Sequence, residues 1–208
     1  MRILGIDVGI KNLALCILET SPDLDHSTIV FWDLIKCTED SENIKALTIT
    51  QCVQKVASAL RRLRIDFDVI AVEQQPCGGS GAVAAANTKM RCVQASIETW
   101  AAFRGVPAYA VAARSKIPDL PKDTKYGDRK KIAVQKVRCA PQLSSTTAES
   151  PWRVFLDSHP KKDDLADAFL IASVHMEREK ISRKKYLRKI KSVSSAAARQ
   201  AKKRRRLD

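Results

Sequence analysis

The sequence predicts an α/β fold in which a mixed five-stranded sheet is covered by helices on both faces. Two observations lead to this fold class. The first third of the chain contains three short apolar runs rich in β-branched residues, which is typical of a hairpin followed by a third strand. Beyond it, helical and strand-like patterns alternate, as they do where helices connect parallel strands and pack on the sheet.

Three strands are predicted before the first helix. Residues 2–8 form an apolar run that ends in Asp-Val-Gly, and residues 13–18 and 29–34 form the second and third runs. The sequence Gly9-Ile10-Lys11-Asn12 predicts a tight turn between the first two strands. The first two strands should therefore pair as a hairpin.

The alternation of helices and strands begins near residue 43. Apolar residues then recur at helical spacing, and a nearly continuous apolar run follows, as expected of a central buried strand. Gly78, Gly79 and Gly81 predict a flexible loop, and the polar residues 113–127 and 144–147 predict connections. The predicted elements are a helix over 43–64, a strand over 67–72, a helix over 83–104, a strand over 106–112, and helices over 129–137, 151–156 and 161–180.

Length and charge predict one domain, residues 1–180, with a basic C-terminal extension, residues 181–208. The net charge is +14, but residues 1–177 hold 23 basic and 21 acidic residues, whereas residues 178–208 hold 14 basic and 2 acidic. Such a segment gains affinity for a polyanion by releasing counterions. Helical character should continue to about Lys191, with 192–208 partly disordered. The alternatives are a solvated tail and a nuclear-import signal at residues 202–206.

Several classes of protein are not expected. No apolar stretch is long enough for a membrane span, and an acid interrupts the N-terminal apolar run too early for a signal peptide. The six cysteines form no CxxC pair, so a structural zinc site is not expected. We expect free thiols in a reducing, intracellular compartment instead.

Acidic residues follow or end the most apolar elements. Asp7 ends the first strand, Glu73 follows the fourth, and Asp163, Asp164 and Asp167 lie in the first turns of the helix over 161–180. Each acid alone could be a turn residue or could complement a helix dipole. Together they could hold hard divalent cations such as Mg²⁺, which prefer oxygen ligands and act on phosphodiesters.

Three segments carry a resemblance to a known family. They are Ile3-Leu4-Gly5-Ile6-Asp7-Val8-Gly9-Ile10-Lys11-Asn12-Leu13-Ala14, then Ile70-Ala71-Val72-Glu73-Gln74-Gln75-Pro76, then Lys161-Lys162-Asp163-Asp164-Leu165-Ala166-Asp167-Ala168. Over residues 1–177 the sequence resembles the RuvC-like Holliday junction resolvases, in particular those of poxviruses and other large DNA viruses and those of fungal mitochondria.

The resemblance implies an RNase H-like fold, a homodimer, and paired symmetric nicks in four-way junction DNA with two Mg²⁺ or Mn²⁺ ions per site. Carried over by motif, the metal ligands are Asp7, Glu73, Asp164 and Asp167, with Asp163 as an alternative to Asp164. The helix from about Val83 to Phe103 would build the dimer. A nucleus or a viral replication compartment is the expected location.

Basic residues near these motifs are candidate DNA contacts, because cations that touch phosphates position DNA without reading its sequence. Some flank the first acid or follow the Gly-rich loop, and others lie in and after the connection 113–127. The basic candidates are Lys11, Lys89, Arg91, Lys116, Lys125, Arg129 and Lys130, with Lys122 and Lys131 in the same basic stretch, and the neutral Asn12 is a further candidate beside Lys11.

Three other functions remain open at this point. An RNase H-like nuclease that processes RNA would use the same acids, and cleavage of RNA would distinguish it. A non-catalytic DNA-binding protein would rely on the basic extension and cut nothing. A sugar-kinase or actin-like ATPase also opens with an apolar strand and Asp-x-Gly, but it needs two such domains, for which 208 residues are too few.

Overall fold

The structure is a computed structural model, which describes residues 1–121, 123–143 and 150–204, with residues 193–204 described by their backbone alone. The connection predicted at 144–147, the candidate cation Lys122 and the last four residues of the basic extension lie outside the described residues.

The sheet contains five strands, as predicted: β1 (Arg2–Asp7), β2 (Asn12–Thr20), β3 (Ser27–Lys36), β4 (Val69–Gln74) and β5 (Ala108–Ala112). Their order across the sheet is β3-β2-β1-β4-β5. The pairs β1–β2 and β2–β3 are antiparallel, whereas β1–β4 and β4–β5 are parallel. The predicted mixed sheet is therefore confirmed, with β1 at its centre.

The turn between β1 and β2 depends on Gly9. A Cβ atom at this position would lie 2.2 Å from the backbone oxygen of Asn12, closer than any side chain can approach. Glycine lets the chain reverse tightly here, so that Asp7 at the end of β1 pairs with Ala14 of β2. This turn confirms the predicted hairpin.

Five α-helices complete the fold: α1 (Ile49–Arg61), α2 (Gly81–Phe103), α3 (Tyr126–Arg138), α4 (Pro151–Ser158) and α5 (Lys162–Arg204). A short 3-10 turn at 44–46 precedes α1, so the single helix predicted over 43–64 is divided. The other helices lie where the sequence predicts them, within a few residues at their starts.

The sheet separates two hydrophobic cores. On one face, apolar side chains of α5, α3 and α4 pack against residues such as Ile3, Cys16 and Ala71. On the other face, α1 and α2 pack against residues such as Leu4, Leu15 and Val72. Alternate side chains of β1 thus enter opposite cores, as expected of a central strand with helices on both faces.

Helix α5 is longer than the sequence predicts, since it continues to Arg204 rather than ending near Lys191. Its first half packs on the sheet, and Leu165, Phe169 and Ile171 are buried. Residues 181–192 are all exposed, so the second half leaves the body of the protein. None of the described helices is sufficiently long and apolar to cross a bilayer.

Candidate active site

The two strand-end acids lie side by side because β1 and β4 are parallel neighbours. Ile6 pairs with Val72, so the next residues, Asp7 and Glu73, leave the same edge of the sheet together. The Asp7 carboxyl forms a hydrogen bond with the Glu73 carboxylate. The predicted convergence of these two acids is thus present in the structure.

Helix α5 brings a third acid to this edge because it packs directly against β1. A Cβ atom at Gly5 would lie 2.3 Å from the backbone oxygen of Ala168 and 2.8 Å from the backbone nitrogen of Ala172. On the same face, the indole nitrogen of Trp32 donates a hydrogen bond of 2.9 Å to the backbone oxygen of Leu165. These contacts fix the first turns of α5 and so position Asp167.

Lys116 joins the acids into one cluster. Its Nζ lies 2.7 Å from Oε1 of Glu73 and 3.0 Å from Oδ2 of Asp167. The exposed fractions of the three side chains are 10%, 17% and 25% respectively, so the ion pairs are largely shielded from water. Lys116 was expected to contact DNA, but the structure places its ammonium group between the acids.

The electrostatics of the cluster follow from this arrangement. Burial, together with the neighbouring charges of Glu73 and Asp167, raises the pKa of Asp7 well above its usual value. Burial also acts to raise the pKa of Glu73, but Lys116 and the hydrogen bond from Asp7 outweigh it, and the pKa is lowered. The two pKa shifts are therefore opposite: Asp7 holds its proton more tightly than usual, and Glu73 holds its proton less tightly.

Burial and neighbouring charges also have opposing effects on the pKa values of Asp167 and Lys116. Burial raises the pKa of Asp167 even though Lys116 opposes the shift. Burial favours the neutral amine of Lys116, but the attraction of Glu73, Asp167 and Asp7 is larger, and the pKa of Lys116 is raised. Lys116 is thus a cation that compensates several crowded carboxyl groups.

The neighbouring acids Asp163 and Asp164 differ in their surroundings. Asp163 forms an ion pair with Lys130, which lowers the pKa of Asp163 against the effect of burial. Burial and the adjacent charge of Asp163 raise the pKa of Asp164, and Asp164 in turn contributes to the raised pKa of Asp167. Of the two, Asp164 is the one coupled to the main cluster.

Two buried amides hold Glu73 in place, and sequence reasoning did not identify them. The side-chain nitrogen of Gln75 donates to the backbone oxygen of Glu73 at 3.3 Å, and Oε1 of Gln94 accepts from the backbone nitrogen of Gln75 at 2.8 Å. Gln75 is 7% exposed and Gln94 is 5% exposed. The signal that could have revealed Gln94 is its polar side chain within the apolar face of α2.

The donor set fits a hard divalent cation. Asp7, Glu73 and Asp167 offer carboxylate oxygens, the ligands that such cations prefer, from two strands and one helix, and burial together with the charges of Glu73 and Asp167 raises the pKa of Asp7. Among the residues described, no three acidic, histidine or cysteine side chains already converge as a set of metal ligands. Lys116 supplies the compensating charge in this arrangement.

The candidate DNA contacts other than Lys116 form local contacts of their own. Lys11 forms an ion pair of 3.4 Å with Asp40, and Asn12 begins β2. Lys89 donates to the backbone oxygen of Lys45 at 2.9 Å, and Arg91 donates to that of Gln75 at 3.4 Å. Arg91 thus lies next to the segment that carries Glu73.

The remaining candidates belong to α3 and its N-terminus. Lys125 is the exposed residue before α3, and Nε of Arg129 donates to the backbone oxygen of Thr124 at 2.8 Å. Lys130 pairs with Asp163, and its ammonium group lies over the ring of Tyr126. Lys131 pairs with Asp128 at 3.6 Å. The basic side chains of α3 therefore include exposed residues and one, Lys130, that contacts an acid beside the cluster.

Comparisons with known proteins show where this fold occurs. No protein-family model matches the sequence, and no curated protein matches it. Among solved structures, Thermus thermophilus RuvC in complex with a Holliday junction substrate is 22% identical, with a TM-score of 0.54 over 88% of this chain and 96% of that one.

Two further structures match over similar lengths. The fowlpox virus resolvase in complex with substrate Holliday junction DNA is 20% identical, with a TM-score of 0.56 over 86% of this chain and 98% of that one. The yeast mitochondrial Holliday junction resolvase Ydc2 is 21% identical, with a TM-score of 0.58 over 92% of this chain and 85% of that one. This chain therefore has the fold of the RuvC-like resolvases that its three sequence motifs resemble.

Proposed function

We propose that this protein is a metal-dependent endonuclease that resolves four-way DNA junctions. The observation that carries the proposal is the gathering of Asp7, Glu73 and Asp167 from two parallel strand ends and one helix. Three solved junction resolvases, two of them with junction DNA, have the same fold over at least 86% of this chain. Fold alone does not assign function. An acid cluster at the expected motif positions supports a specific chemistry, metal-dependent cleavage of a phosphodiester.

Asp7, Glu73, Asp164 and Asp167 would hold Mg²⁺ or Mn²⁺. Bound there, two such ions supply an activated water for attack on the phosphodiester and neutralise the charge on the leaving oxygen. Asp163 belongs to this proposal only as an alternative to Asp164, since it is paired with Lys130. The residues of the chain orient these ligands through Gln75 and the packing of α5 on β1.

The substrate side of the proposal depends on the cations around the cluster. Arg91, Lys125 and Arg129 are exposed, and they would contact phosphates of the junction. Two subunits joined through α2 would present two acid clusters to opposite strands. This arrangement would yield the paired symmetric nicks that resolution requires.

Cleavage of an end-labelled four-way DNA junction tests the proposal. Wild-type protein in Mg²⁺ or Mn²⁺ is expected to introduce symmetric nicks, and Asp7→Asn to lose cleavage by at least about a hundredfold while still binding the junction. Asp66→Asn is the matched control, because the Asp66 side chain is 95% exposed. This control should cut as the wild type does.

Two results would contradict the proposal. Tight junction binding without cleavage by the wild type in either metal would point to a non-catalytic DNA-binding protein. Faster cleavage of an RNA or RNA–DNA substrate than of the junction would assign the acid cluster to an RNA-processing nuclease instead.

A further inference from the structure

The exposed half of helix α5 is a separate cationic surface, which we call the basic arm and define as residues 181–192. All twelve residues are exposed. Six of them are basic and none is acidic: Arg183, Lys184, Lys185, Arg188, Lys189 and Lys191. Among the described residues, no side chain forms an ion pair or hydrogen bond with the side chains of Lys184, Lys185, Arg188 or Lys189.

The arm leaves the protein at the end of the sheet opposite the acid cluster. Helix α5 begins beside the acids and runs back along β1 toward Met1. Where it leaves the sheet, Lys180 forms an ion pair of 2.7 Å with Asp25, and Arg183 donates to the backbone oxygen of Pro22. These contacts tie the base of the arm to the turn between β2 and β3.

The helix sets the distance between the two surfaces. Seventeen residues separate Asp167 from Lys184, which at 1.5 Å per residue is about 26 Å. Lys189 lies about 33 Å from Asp167 on the same measure. The basic arm therefore cannot contact the phosphate at which the acid cluster would act.

The arm has two faces of different chemistry. Lys184, Arg188 and Lys191 follow the spacing i, i+4, i+7, and Lys185 and Lys189 lie beside them, so these five basic side chains share one face, while Arg183 lies on the other. Tyr186, Leu187 and Ile190 lie on the other face, with 64%, 47% and 47% exposure. The face that carries these five cations can contact several phosphates of a nucleic-acid backbone at once.

We infer that the basic arm binds duplex DNA away from the branch point, on an arm of the same junction. This inference rests on the proposed function and adds a second contact surface to it. At about 3.4 Å per base pair, 26 Å corresponds to roughly eight base pairs of duplex. The arm contributes affinity without sequence preference and takes no part in the chemical step.

An anionic membrane surface is the other polyanion that a basic amphipathic helix can fit. The observations favour DNA, because the arm has only four large apolar side chains, of which Ile181 lies on the basic face, and none is a tryptophan or phenylalanine. The basic face, in contrast, is free of acidic residues over its whole length.

The test compares two variants that each lose three positive charges. The arm variant is Lys184→Gln/Lys185→Gln/Arg188→Gln. The control is Arg61→Gln/Arg62→Gln/Arg64→Gln, whose exposed side chains lie at the end of α1 and just after it, on the face of the sheet opposite α5. Binding is measured in EDTA over a range of salt concentrations, with junctions whose arms are 6 or 20 base pairs long and closed by hairpin loops.

The arm variant is expected to bind the long-armed junction roughly tenfold more weakly at 0.1 M salt. The slope of log K against log salt should decrease by about 2 to 3, because each phosphate contact contributes about 0.9. The short-armed junction should be bound as tightly by the arm variant as by the wild type. The control should keep the wild-type affinity for both junctions.

Other outcomes would overturn the inference. Equal losses on short and long arms would place the contact at the branch point, and equal losses by the control would mean that only total charge matters. Unchanged DNA binding, with lost binding to phosphatidylserine vesicles, would assign the arm to a membrane surface. A wild type that cuts no junction, while the arm variant still loses long-arm affinity, would refute the proposed function alone.

Discussion

Asp7 is the residue whose replacement best separates metal binding from folding. Because its pKa is raised in the folded protein, the folded state binds its proton more tightly, and stability falls as pH rises above the ordinary value of 3.8. Asp7→Asn removes this cost and can still donate a hydrogen bond to Glu73. In EDTA at pH 7 the variant should be more stable by about 1 kcal/mol or more, or about 2–4 °C in Tm.

Added Mn²⁺ should then reverse the order of the two proteins. Wild-type Tm is expected to increase with Mn²⁺ concentration, whereas the Tm of Asp7→Asn should respond little, because a ligand is missing. Differential scanning calorimetry with and without Mn²⁺ measures both effects, with Asp66→Asn as the control. An Asp7→Asn protein that is less stable than the wild type in EDTA would show that the charge on Asp7 is not a cost to folding.

Lys116 is expected to have the opposite effect on stability. Lys116→Met removes the cation between Glu73 and Asp167, so in EDTA at pH 7 the variant should lose about 2 kcal/mol, allowing for partial solvent exposure. The lowered pKa of Glu73 contributes stability that is present above 4.5 and is lost as pH falls through the folded value. The difference between wild type and variant should therefore decrease below pH 4.5.

Urea denaturation at pH 7 and at pH 4 in EDTA measures this difference. Lys131→Met is the matched control, since its ammonium group is 83% exposed and its partner is the neighbouring Asp128 on α3. This control should change stability by less than about 0.5 kcal/mol. An equal loss for Lys116→Met at both pH values would mean that packing, and not charge, explains the effect.

At the scale of single residues, the sequence predicts where acids end strands but not what lies between them. The convergence of Asp7 and Glu73 follows from two apolar runs that end in an acid. Lys116 comes from the segment after β5, and no local pattern shows that it turns inward. Its role depends on tertiary packing, because a buried cation is tolerated only where carboxylates pair with it.

At the scale of elements, Gly5 determines how closely α5 approaches β1. In Gly5→Ala the new methyl group would collide with the backbone of Ala168 and Ala172, so α5 must move outward. We expect a loss of about 3 kcal/mol and a lower cleavage rate, because Asp167 precedes Ala168 and moves with it. Gly127→Ala is the control, since nothing lies within 4 Å of its Cβ position and alanine favours the helix.

Thermal unfolding and junction cleavage are measured on both glycine variants. A Gly5→Ala protein with wild-type stability would show that β1 and α5 are not in close contact. A variant that is less stable but still folded, and that cleaves more slowly, would support a shift of α5 that changes the acid cluster without unfolding the protein.

Element boundaries show which local signals the sequence carries. The division before α1 could have been predicted, because Thr48 and Gln51 form a capping box with reciprocal hydrogen bonds. Helix α5 is longer than predicted, because the Ser/Ala/Lys/Arg composition of residues 192–208 is also typical of disorder. Residues 161–204 contain no glycine or proline, so nothing in the sequence ends this helix.

At the scale of the whole molecule, the orientation of β1 and α5 separates two charged surfaces. The acids lie at the carboxyl end of β1, and the basic arm leaves near Met1 at the other end. Because α5 is continuous from Lys162 to Arg204, one helix links the near-neutral domain to the cationic extension. This relation explains how a basic segment can coexist with an acid cluster without neutralising it.

The assembly of two subunits is the last property at this scale. The exposed face of α2 carries small residues at helical spacing, including Ala95, Thr99 and Ala102, while Val93 and Ile97 face the core. If α2 joins two subunits, Ala95→Arg should introduce a charge and excess volume into the contact. The dissociation constant of the dimer should increase about 30-fold, which corresponds to roughly 2 kcal/mol.

Sedimentation equilibrium measures this change, with Ala57→Arg on the exposed face of α1 as the control. Cleavage of a supercoiled plasmid with an extruded cruciform provides a second measurement, because two coordinated nicks yield linear DNA and one nick yields an open circle. Ala95→Arg should shift the products toward open circles, and Ala57→Arg should not. If Ala95→Arg remained a dimer and produced linear DNA, the subunits would meet through a surface other than α2, because an arginine at the centre of a packed helix contact cannot be accommodated without loss of affinity.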